Sequence, residues 1–469
     1  MIQRAVAAGE ASLLGELFVA GVYGAESGAP AGPAPNVLVH GESSAVLRTL
    51  RPRLEGAVKL VYLDPPYNTG ASFEHYDDAL SPPAWRRMMG EILDLLAPLL
   101  ADDGSLWCEI DDTELGQLQV LLDDRFGRRN RITTVTIRRS AVTGHKAINP
   151  GPVNVADYLF GYARDRSRWR YRHELVPRPG YDTQYNRYVA GRDRPFGEWR
   201  LEPLAPLVAS RHGFRDARAA RAELGTASFA DALSAFALAH AESVARLALV
   251  NYAAVSRAAR AAVDASRESE TVHCLRRPAH SDLYLYKGQR ILFLADKVRT
   301  NATGRRELVE KLTNIWDDIG FQGIAGEGGV GFAKAKKPER LLRRIIALAS
   351  DPGDLVLDCF AGSGTTGAVA HKMGRRWVLV EAGPHAETIA LPRLRRVVAG
   401  EDPTGVTKLE GFKGGGSFSY LTTHQTARGG PFDTHEDMTT DPRHPTGGSL
   451  QAGGSPDRRV EVHAAETSP

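Results

Sequence analysis

Cysteine is scarce in this chain. Cys108, Cys274 and Cys359 are the three in 469 residues and lie far apart. That spacing excludes a paired zinc site and a disulfide framework, and it suits a reducing cytoplasm. Long apolar runs are missing as well. None approaches the roughly eighteen residues that a membrane span requires. The amino-terminal MIQRAVAAGEASLLGELFVAGVYG breaks its apolar phase at Glu10 and Glu16, which argues against an anchor or a secretory signal. An excess of one charge is lacking too: the formal net charge is +3, so the overall balance points to no partner. What remains, 42% hydrophobic and 25% charged residues, is the composition of an ordinary folded protein. At this length two domains plus tails are expected.

Charge is informative in its distribution. From Arg125 to Arg139 the sequence RFGRRNRITTVTIRR contains no acid. Arg128, Arg129, Arg131, Arg138 and Arg139 read either as a solvated face or as a track for a polyanion.

Strand and helix patterns alternate along much of the chain. After a helical-looking first segment and the Pro/Gly/Ala linker SGAPAGPAPN, NVLVH reads as a strand and SSAVLRTL as a helix capped by Ser43 or Ser44. VKLVYL is a strand buried on both faces. SPPAWRRMMGEILDLLAPLL is a helix with Ser81 at its start and apolar residues at helical spacing from Trp85 to Leu96. GSLWCEID and TELGQLQVLLDDRFG repeat the pattern, which predicts a parallel, helix-covered sheet. The alternation stops near Asp165 and resumes after about Val298 with KPERLLRRIIALAS, DLVLDCF, GTTGAVAHKMG and RRWVLVE. The long interruption includes an alanine-rich stretch, Asp216–Ser266, read as helical packing in a separate subdomain. Past Phe412 the chain is rich in Gly, Pro, Thr and charge and reads as a disordered tail.

Two motifs carry chemistry. In LVYLDPPYNTG the apolar strand runs into Asp64, Pro65, Pro66 and Tyr67. Proline fixes its own φ and pushes the preceding residue toward extended geometry, so this is a stiff corner whose carbonyls are available as acceptors. In DLVLDCFAGSGTTGAVA a strand meets a helix through Gly362, Gly364 and Gly367 in G-x-G-x-x-G spacing. Such glycines let the backbone turn tightly and approach a ligand at a helix N-terminus. Glu381 ends the next strand 19 residues after Gly362, the offset of an acid that binds ribose hydroxyls, so a nucleoside-containing ligand is expected. This motif alone would suggest a dinucleotide oxidoreductase. Against that, too little chain follows for a second mononucleotide half, Thr365-Thr366 put hydroxyls where a pyrophosphate would approach, and the rest of the sheet lies upstream.

Taken together, DPPYNTG followed far downstream by KPERLLRRIIALASDPGDLVLDCFAGSGTTGAVAHKMGRRWVLVE resembles the S-adenosylmethionine-dependent amino-methyltransferases of DNA, of the β arrangement. In that group the catalytic motif precedes the cofactor motif. DPPYNTG, YNRYVAGRDRPFGEWR and NIWDDIG also look like the modification subunits of type III restriction systems. The resemblance implies a Rossmann-like methyltransferase sheet with circularly permuted motif order and an inserted, mostly helical target-recognition subdomain. The expected layout is an N-terminal segment and linker (1–35), a catalytic half (36–165), the insert (166–309), a cofactor-binding half (310–412) and the tail (413–469).

The resemblance also implies roles. Asp64, Pro65, Pro66 and Tyr67 form the catalytic corner. Phe360 packs on the cofactor's adenine, Gly362 and Gly364 shape its loop, Glu381 holds its ribose, Lys337, Pro338 and Thr365 line the methionine end, and Asp358 fixes the turn. The expected activity is methylation of N6 of a flipped-out adenine in double-stranded DNA, with S-adenosylmethionine as cofactor, no metal and a cytoplasmic location. A restriction or helicase subunit and a second copy of the chain are the candidate protein partners. The five arginines are expected on the DNA. Cytosine N4 is the alternative target; an RNA or protein amide methyltransferase, a DNA-binding module without catalysis and an NAD-linked oxidoreductase are the more distant ones. Two departures from the family pattern stand out. Gly41-Glu42 replaces the usual Gly-Asp, and Cys359 stands where a proline is common.

Overall fold

A computed structural model describes residues 17–24, 36–69, 80–140, 152–178, 180–278, 280–301, 304–332 and 336–423. Most of the expected N-terminal segment and linker, and the tail from 424 on, lie outside the described residues.

Before the insert, six strands and three helices alternate: β1 (Phe18–Tyr23), β2 (Asn36–His40), α1 (Ser43–Leu54), β3 (Val58–Leu63), α2 (Pro82–Leu96), β4 (Leu100–Ile110), α3 (Leu115–Phe126), β5 (Arg131–Arg138) and β6 (Ala156–Ala163). The insert contributes β7 (Leu175–Pro177), β8 (Arg187–Ala190), β9 (Arg200–Pro203), α4 (Leu204–Arg211), α5 (Ala217–Leu224), α6 (Thr226–Ala239), β10 (Val244–Leu249), α7 (Arg257–Ala265), β11 (His273–Leu275), β12 (Leu283–Tyr286), β13 (Gln289–Phe293), β14 (Val298–Thr300) and β15 (Arg306–Lys311). Then come β16 (Ile315–Trp316), α8 (Glu339–Ala349), β17 (Leu355–Asp358), α9 (Thr365–Lys372), β18 (Arg376–Glu381), α10 (Leu391–Ala399) and β19 (Phe418–Thr422).

Among the described residues the principal sheet has ten strands in the order β1-β19-β2-β18-β17-β3-β4-β6-β5-β16. From β19 to β4 neighbouring strands are parallel, as the alternation predicts. β6 runs against both β4 and β5. The alternating faces of β3 explain the two-sided core. Val61 and Leu63 pack with α1, α2 and α3, while Leu60 and Tyr62 pack with α8, α9 and α10. All six residues of β3 are buried, Lys59 included, which pairs with Asp103.

This topology locates the site. β3 connects through α2 to β4 on one side, and β17 connects through α9 to β18 on the other, with the two helices on opposite faces. β3 and β17 are adjacent, with Leu60 beside Val356 and Val61 beside Leu357. Where right-handed crossovers diverge in this way, a crevice opens beyond the carboxyl ends of the two strands. Asp64 follows β3 and Asp358 ends β17, so both chemical motifs open onto that crevice.

Several local expectations are corrected. The helical-looking first segment contains a strand, β1, paired antiparallel with β19. The tail was expected to begin at 413, yet Phe418–Thr422 is wholly buried between β1 and β2. The strand is short, but its Phe, Tyr and Leu suffice to fill the position between β1 and β2 behind a glycine run. The cap of α1 is Glu42 rather than Ser43 or Ser44, its carboxylate accepting from the amides of Ser44 (2.9 Å) and Ala45 (2.8 Å). Ser43 instead donates to the Cys359 carbonyl at 2.6 Å. In the insert, the helices α4 to α7 are accompanied by a six-stranded antiparallel sheet, β11-β12-β13-β10-β8-β9. The alanine-rich stretch is therefore not one helical unit. VARLAL forms β10, which pairs with β13 along Ala245–Leu249 because extended pairing satisfies a backbone that its alanine content had suggested was helical.

Candidate functional site

The proline corner is fixed from below. Trp85 of α2 is fully buried and its indole Nε1 donates to the Pro66 carbonyl at 2.7 Å. Of the two carbonyls expected to be available, that of Pro66 is thus engaged, because the helix that packs beneath the corner brings a buried indole N–H that needs an acceptor. Among the described residues no donor reaches the Pro65 carbonyl. Beyond Tyr67 the backbone turns through a left-handed residue, Asn68 (φ 61°), whose amide donates to Glu114 at 2.7 Å. Asparagine tolerates that conformation better than most side chains.

Lys337, from the segment leading into α8, reaches over the corner. Its Nζ donates to the Tyr67 hydroxyl (2.6 Å) and to Glu109 Oε1 (3.0 Å), and stands 3.1 Å from Asp64 Oδ1. The last contact is an ion pair without hydrogen-bond alignment, so Asp64 Oδ1 is buried and receives no hydrogen bond. Glu109, fully buried on β4, accepts from the Tyr62 hydroxyl at 2.7 Å through its other oxygen. One ammonium therefore serves two carboxylates. Burial, reinforced by the Glu109 charge and opposed by Lys337, pushes the Asp64 carboxyl up to about 7. Burial alone would lower the lysine, but Asp64, Glu109 and Asp157 outweigh it and hold the ammonium above its ordinary range. Burial and the same carboxylates keep the Tyr67 phenol neutral, its pKa well above the ordinary value.

The glycine turn occupies the other side of the crevice. Asp358 ends β17 and accepts from the Phe360 amide (2.9 Å) and the Thr366 hydroxyl (2.5 Å). Burial pushes its carboxyl up to about 7, against those two bonds. Gly362 (φ +53°) and Gly364 (φ +75°) adopt the left-handed backbone that glycine allows. Gly367 serves packing: a Cβ there would meet Leu379 Cδ1 at 2.6 Å. Glu381, at the end of β18, accepts from the amides of Gly362 (2.7 Å) and Gly383 (2.9 Å), with His385 Nε2 3.0 Å from Oε1. Thr365 receives a hydrogen bond from Arg393 at 2.6 Å, and Arg393 also binds Glu339, which in turn pairs with Lys372. These three charged residues are fully or almost fully buried and brace the loop from behind.

One cavity joins the two motifs. It is lined by Asp64, Pro65, Pro66, Tyr67, Lys337, Asp358, Phe360, Gly362, Thr365 and Glu381 among the expected residues. Pro338, which caps α8, and Gly364 are not among its lining residues. The cavity also takes in residues not singled out from sequence, notably Phe332, whose ring lies 5.3 Å from that of His385, and Asp157. Glu109 and Asp157 did leave a signal: each is an acid within a strand that otherwise reads as buried.

The arginine run does not form a single track. β5 separates its members by roughly 23 Å at the usual rise per residue. Arg128 and Arg129 are exposed at the amino end of the strand. Arg131 is committed to Asp123 and to the Tyr162 hydroxyl (2.9 Å). At the other end Arg138 is exposed, while Arg139 turns into the cavity and pairs with Asp157 at 3.3 Å.

Residues 58–225 and 251–392 match the family model described as DNA methylase. The chain is 28% identical over 426 residues to a probable type III restriction-modification enzyme HindVI Mod subunit of Haemophilus influenzae, a match covering 83% of this chain and 54% of that protein. It is 26% identical over 391 residues to the type II methyltransferase M.EcaI of Enterobacter cloacae, covering 79% and 71%. It is 26% identical over 363 residues to the type III StyLTI Mod subunit of Salmonella typhimurium, covering 71% and 49%. The chain thus spans about half the length of the two Mod subunits. No helix among the described residues is long and apolar enough to cross a membrane.

Proposed function

This chain belongs to the DNA methylase family, and from that premise we propose that it methylates N6 of an adenine swung out of double-stranded DNA, using S-adenosylmethionine. The observation that carries this reading is the single cavity shared by the Asp64 corner and the Gly362 turn.

The cavity's residues suit that cofactor. Phe332 and Phe360 offer apolar walls for a purine, and each Glu381 oxygen keeps lone-pair capacity for a ribose hydroxyl. Four carboxylates, Asp64, Asp157, Asp358 and Glu381, line the space with three cations, Lys336, Lys337 and Arg139, so it has no positive surplus to draw a diphosphate, which weighs against NAD. When bound, S-adenosylmethionine supplies an electrophilic sulfonium methyl group.

The protein's task is to make a poor nucleophile attack. An exocyclic amine delocalises its lone pair into the ring. Hydrogen bonds from that amine to Asp64 Oδ1, which is ion-paired with Lys337 but receives no hydrogen bond, and to the Pro65 carbonyl would draw its hydrogens out of the ring plane and localise the lone pair. Tyr67, half-buried at the cavity wall, offers a face on which a flipped base can stack. Lys337 holds Asp64 and Tyr67 in mutual register through one ammonium. Orientation supplies the remaining acceleration.

The names of the Haemophilus and Salmonella relatives support a place as the modification component of a restriction-modification system. That role makes a separate restriction or helicase subunit and a second copy of the chain its expected partners, acting on DNA in the cytoplasm. The test is chemical. Duplex DNA incubated with the protein and labelled S-adenosylmethionine is digested and its nucleosides separated. Label in N6-methyladenine is the expected result. Label only in N4-methylcytosine would move the target to cytosine, and none in any nucleoside would overturn the assignment.

A further inference from the structure

Two charged groups in the cavity wall pair with each other yet leave buried polar atoms without hydrogen bonds. Asp157, at the start of β6, is fully buried, and neither of its carboxylate oxygens receives a hydrogen bond among the described residues. Its nearest cation is Arg139, with Nη1 3.3 Å from Oδ1, and the buried Nε of Arg139 likewise lacks an acceptor. Unsatisfied buried groups of this kind are costly to a fold, and they are uncommon unless a ligand completes them. Both residues line the same cavity as Asp64, whose Oδ1 is ion-paired with Lys337 but likewise receives no hydrogen bond.

The cavity therefore presents an acceptor at Asp64 and a donor at Arg139. Their complement is a heteroaromatic edge with an exocyclic amine beside an unprotonated ring nitrogen. Resting on the methyltransferase reading above, we infer that Arg139 donates to the ring nitrogen next to the target amine, N1 of adenine, and that Asp157 positions its guanidinium for that contact. Arg139 is then a specificity-determining residue and Asp157 a positioning residue. Guanine and thymine carry an N–H at the corresponding place and an oxo group where the amine would be. They would set donor against donor at Arg139 and oxygen against carboxylate at Asp64, which rejects them by repulsion. This assigns Arg139 to a base edge rather than to the phosphate backbone.

The experiment uses the full chain and a duplex carrying the sequence it methylates, identified by modified-base sequencing of DNA treated with the protein. The target position holds either adenine or 1-deazaadenine, in which N1 is replaced by C–H. Single-turnover rates are measured for the native protein, Arg139→Gln and Asp157→Asn. Any intrinsic effect of the altered ring is common to all three, so the ratio of penalties reports the contact. The native protein's penalty for 1-deazaadenine should exceed that of Arg139→Gln by about tenfold, the scale of one good base-edge contact. Asp157→Asn should shrink the penalty in the same direction. Equal penalties in the native protein and the two variants would overturn the inference while leaving the methyltransferase assignment intact. If Arg139→Gln does not fold, as judged by its melting and its binding of S-adenosylmethionine, the Asp157→Asn ratio decides alone. Failure of the native protein to methylate the adenine duplex would overturn the assignment and this inference together.

Discussion

Lys337 Nζ lies 3.1 Å from Asp64 Oδ1, tying the segment before α8 to the proline corner that follows β3. The same ammonium donates to Tyr67 and to Glu109, so the corner's carboxylate and its aromatic ring are held by a cation from the cofactor half of the sheet. Removing any one of these groups leaves the others buried and imperfectly paired.

Asp64→Ala removes the carboxylate proposed to accept a hydrogen bond from the target amine. Loss of one such preorganised group costs about 10²- to 10³-fold in rate when it acts mainly in the transition state. Single-turnover methylation should fall by that order, while equilibrium binding of S-adenosylmethionine and of duplex DNA stays close to native. Native turnover in this variant would show that another group localises the amine's lone pair.

The working form of Asp64 accepts a hydrogen bond and is therefore the ionised one. With its carboxyl pushed up to about 7, the rate should rise as pH increases through neutrality and level off above. Lys337→Met removes the cation that opposes burial and the Glu109 charge, so the midpoint of the rate profile should move to higher pH. A profile that keeps its midpoint in Lys337→Met would assign the titration to another group.

Asp358 gives a stability prediction of definite sign. Its carboxyl stands at about 7 in the fold against an ordinary 3.8. Between those values the native state keeps a proton that the unfolded chain has lost. The associated stability is complete below 3.8 and is lost as pH rises to about 7. At full effect this amounts to roughly 4 kcal/mol. Asp358→Asn lacks the titrating proton, so the difference in its denaturation midpoint between pH 5 and pH 8 should be smaller than the native protein's. An equal difference would place the pH dependence elsewhere.

Much of the sheet and both motifs were legible in the sequence, for local reasons. β3 and β17 announce themselves by apolar runs that end in an acid, and the Asp-Pro-Pro corner and the glycine turn follow from backbone constraints that act within a few residues. What sequence could not supply was contact between distant segments. Glu109 and Asp157 are acids in buried stretches of their strands, and only pairing between β4 and β6 brings them under Lys337. The arginine run looked continuous, but β5 carries its two ends to opposite ends of one strand. β19 was hidden by composition, since five apolar and hydroxylic residues among glycines resemble a tail until a partner strand is known.

That last point can be tested by truncation. Ending the chain after Phe412, where the tail was expected to begin, removes β19 and exposes flanks of β1 and β2. Phe418, Tyr420 and Leu421 are all buried, and at roughly 1.5–3 kcal/mol for each large apolar side chain the loss approaches the whole stability of a typical domain. The truncated chain should be insoluble or unfolded by circular dichroism. A soluble, folded product that still binds S-adenosylmethionine would show that β19 is dispensable.

Trp85→Phe examines the corner without touching any group proposed to meet substrate. Phenylalanine keeps most of the apolar packing of a fully buried position but takes away the Nε1 donor, leaving the Pro66 carbonyl unsatisfied at a cost of about 1–3 kcal/mol. If that hydrogen bond merely stabilises the fold, the melting temperature falls and catalysis at a temperature well below melting is unchanged. If it also sets the angle at which Asp64 and the Pro65 carbonyl face the amine, the single-turnover rate falls too, with cofactor affinity unchanged. The second outcome is expected, because Pro66 is covalently next to Pro65 and two linked prolines pass a rotation on with little slack. A native single-turnover rate alongside a lowered melting temperature would confine Trp85 to a structural role.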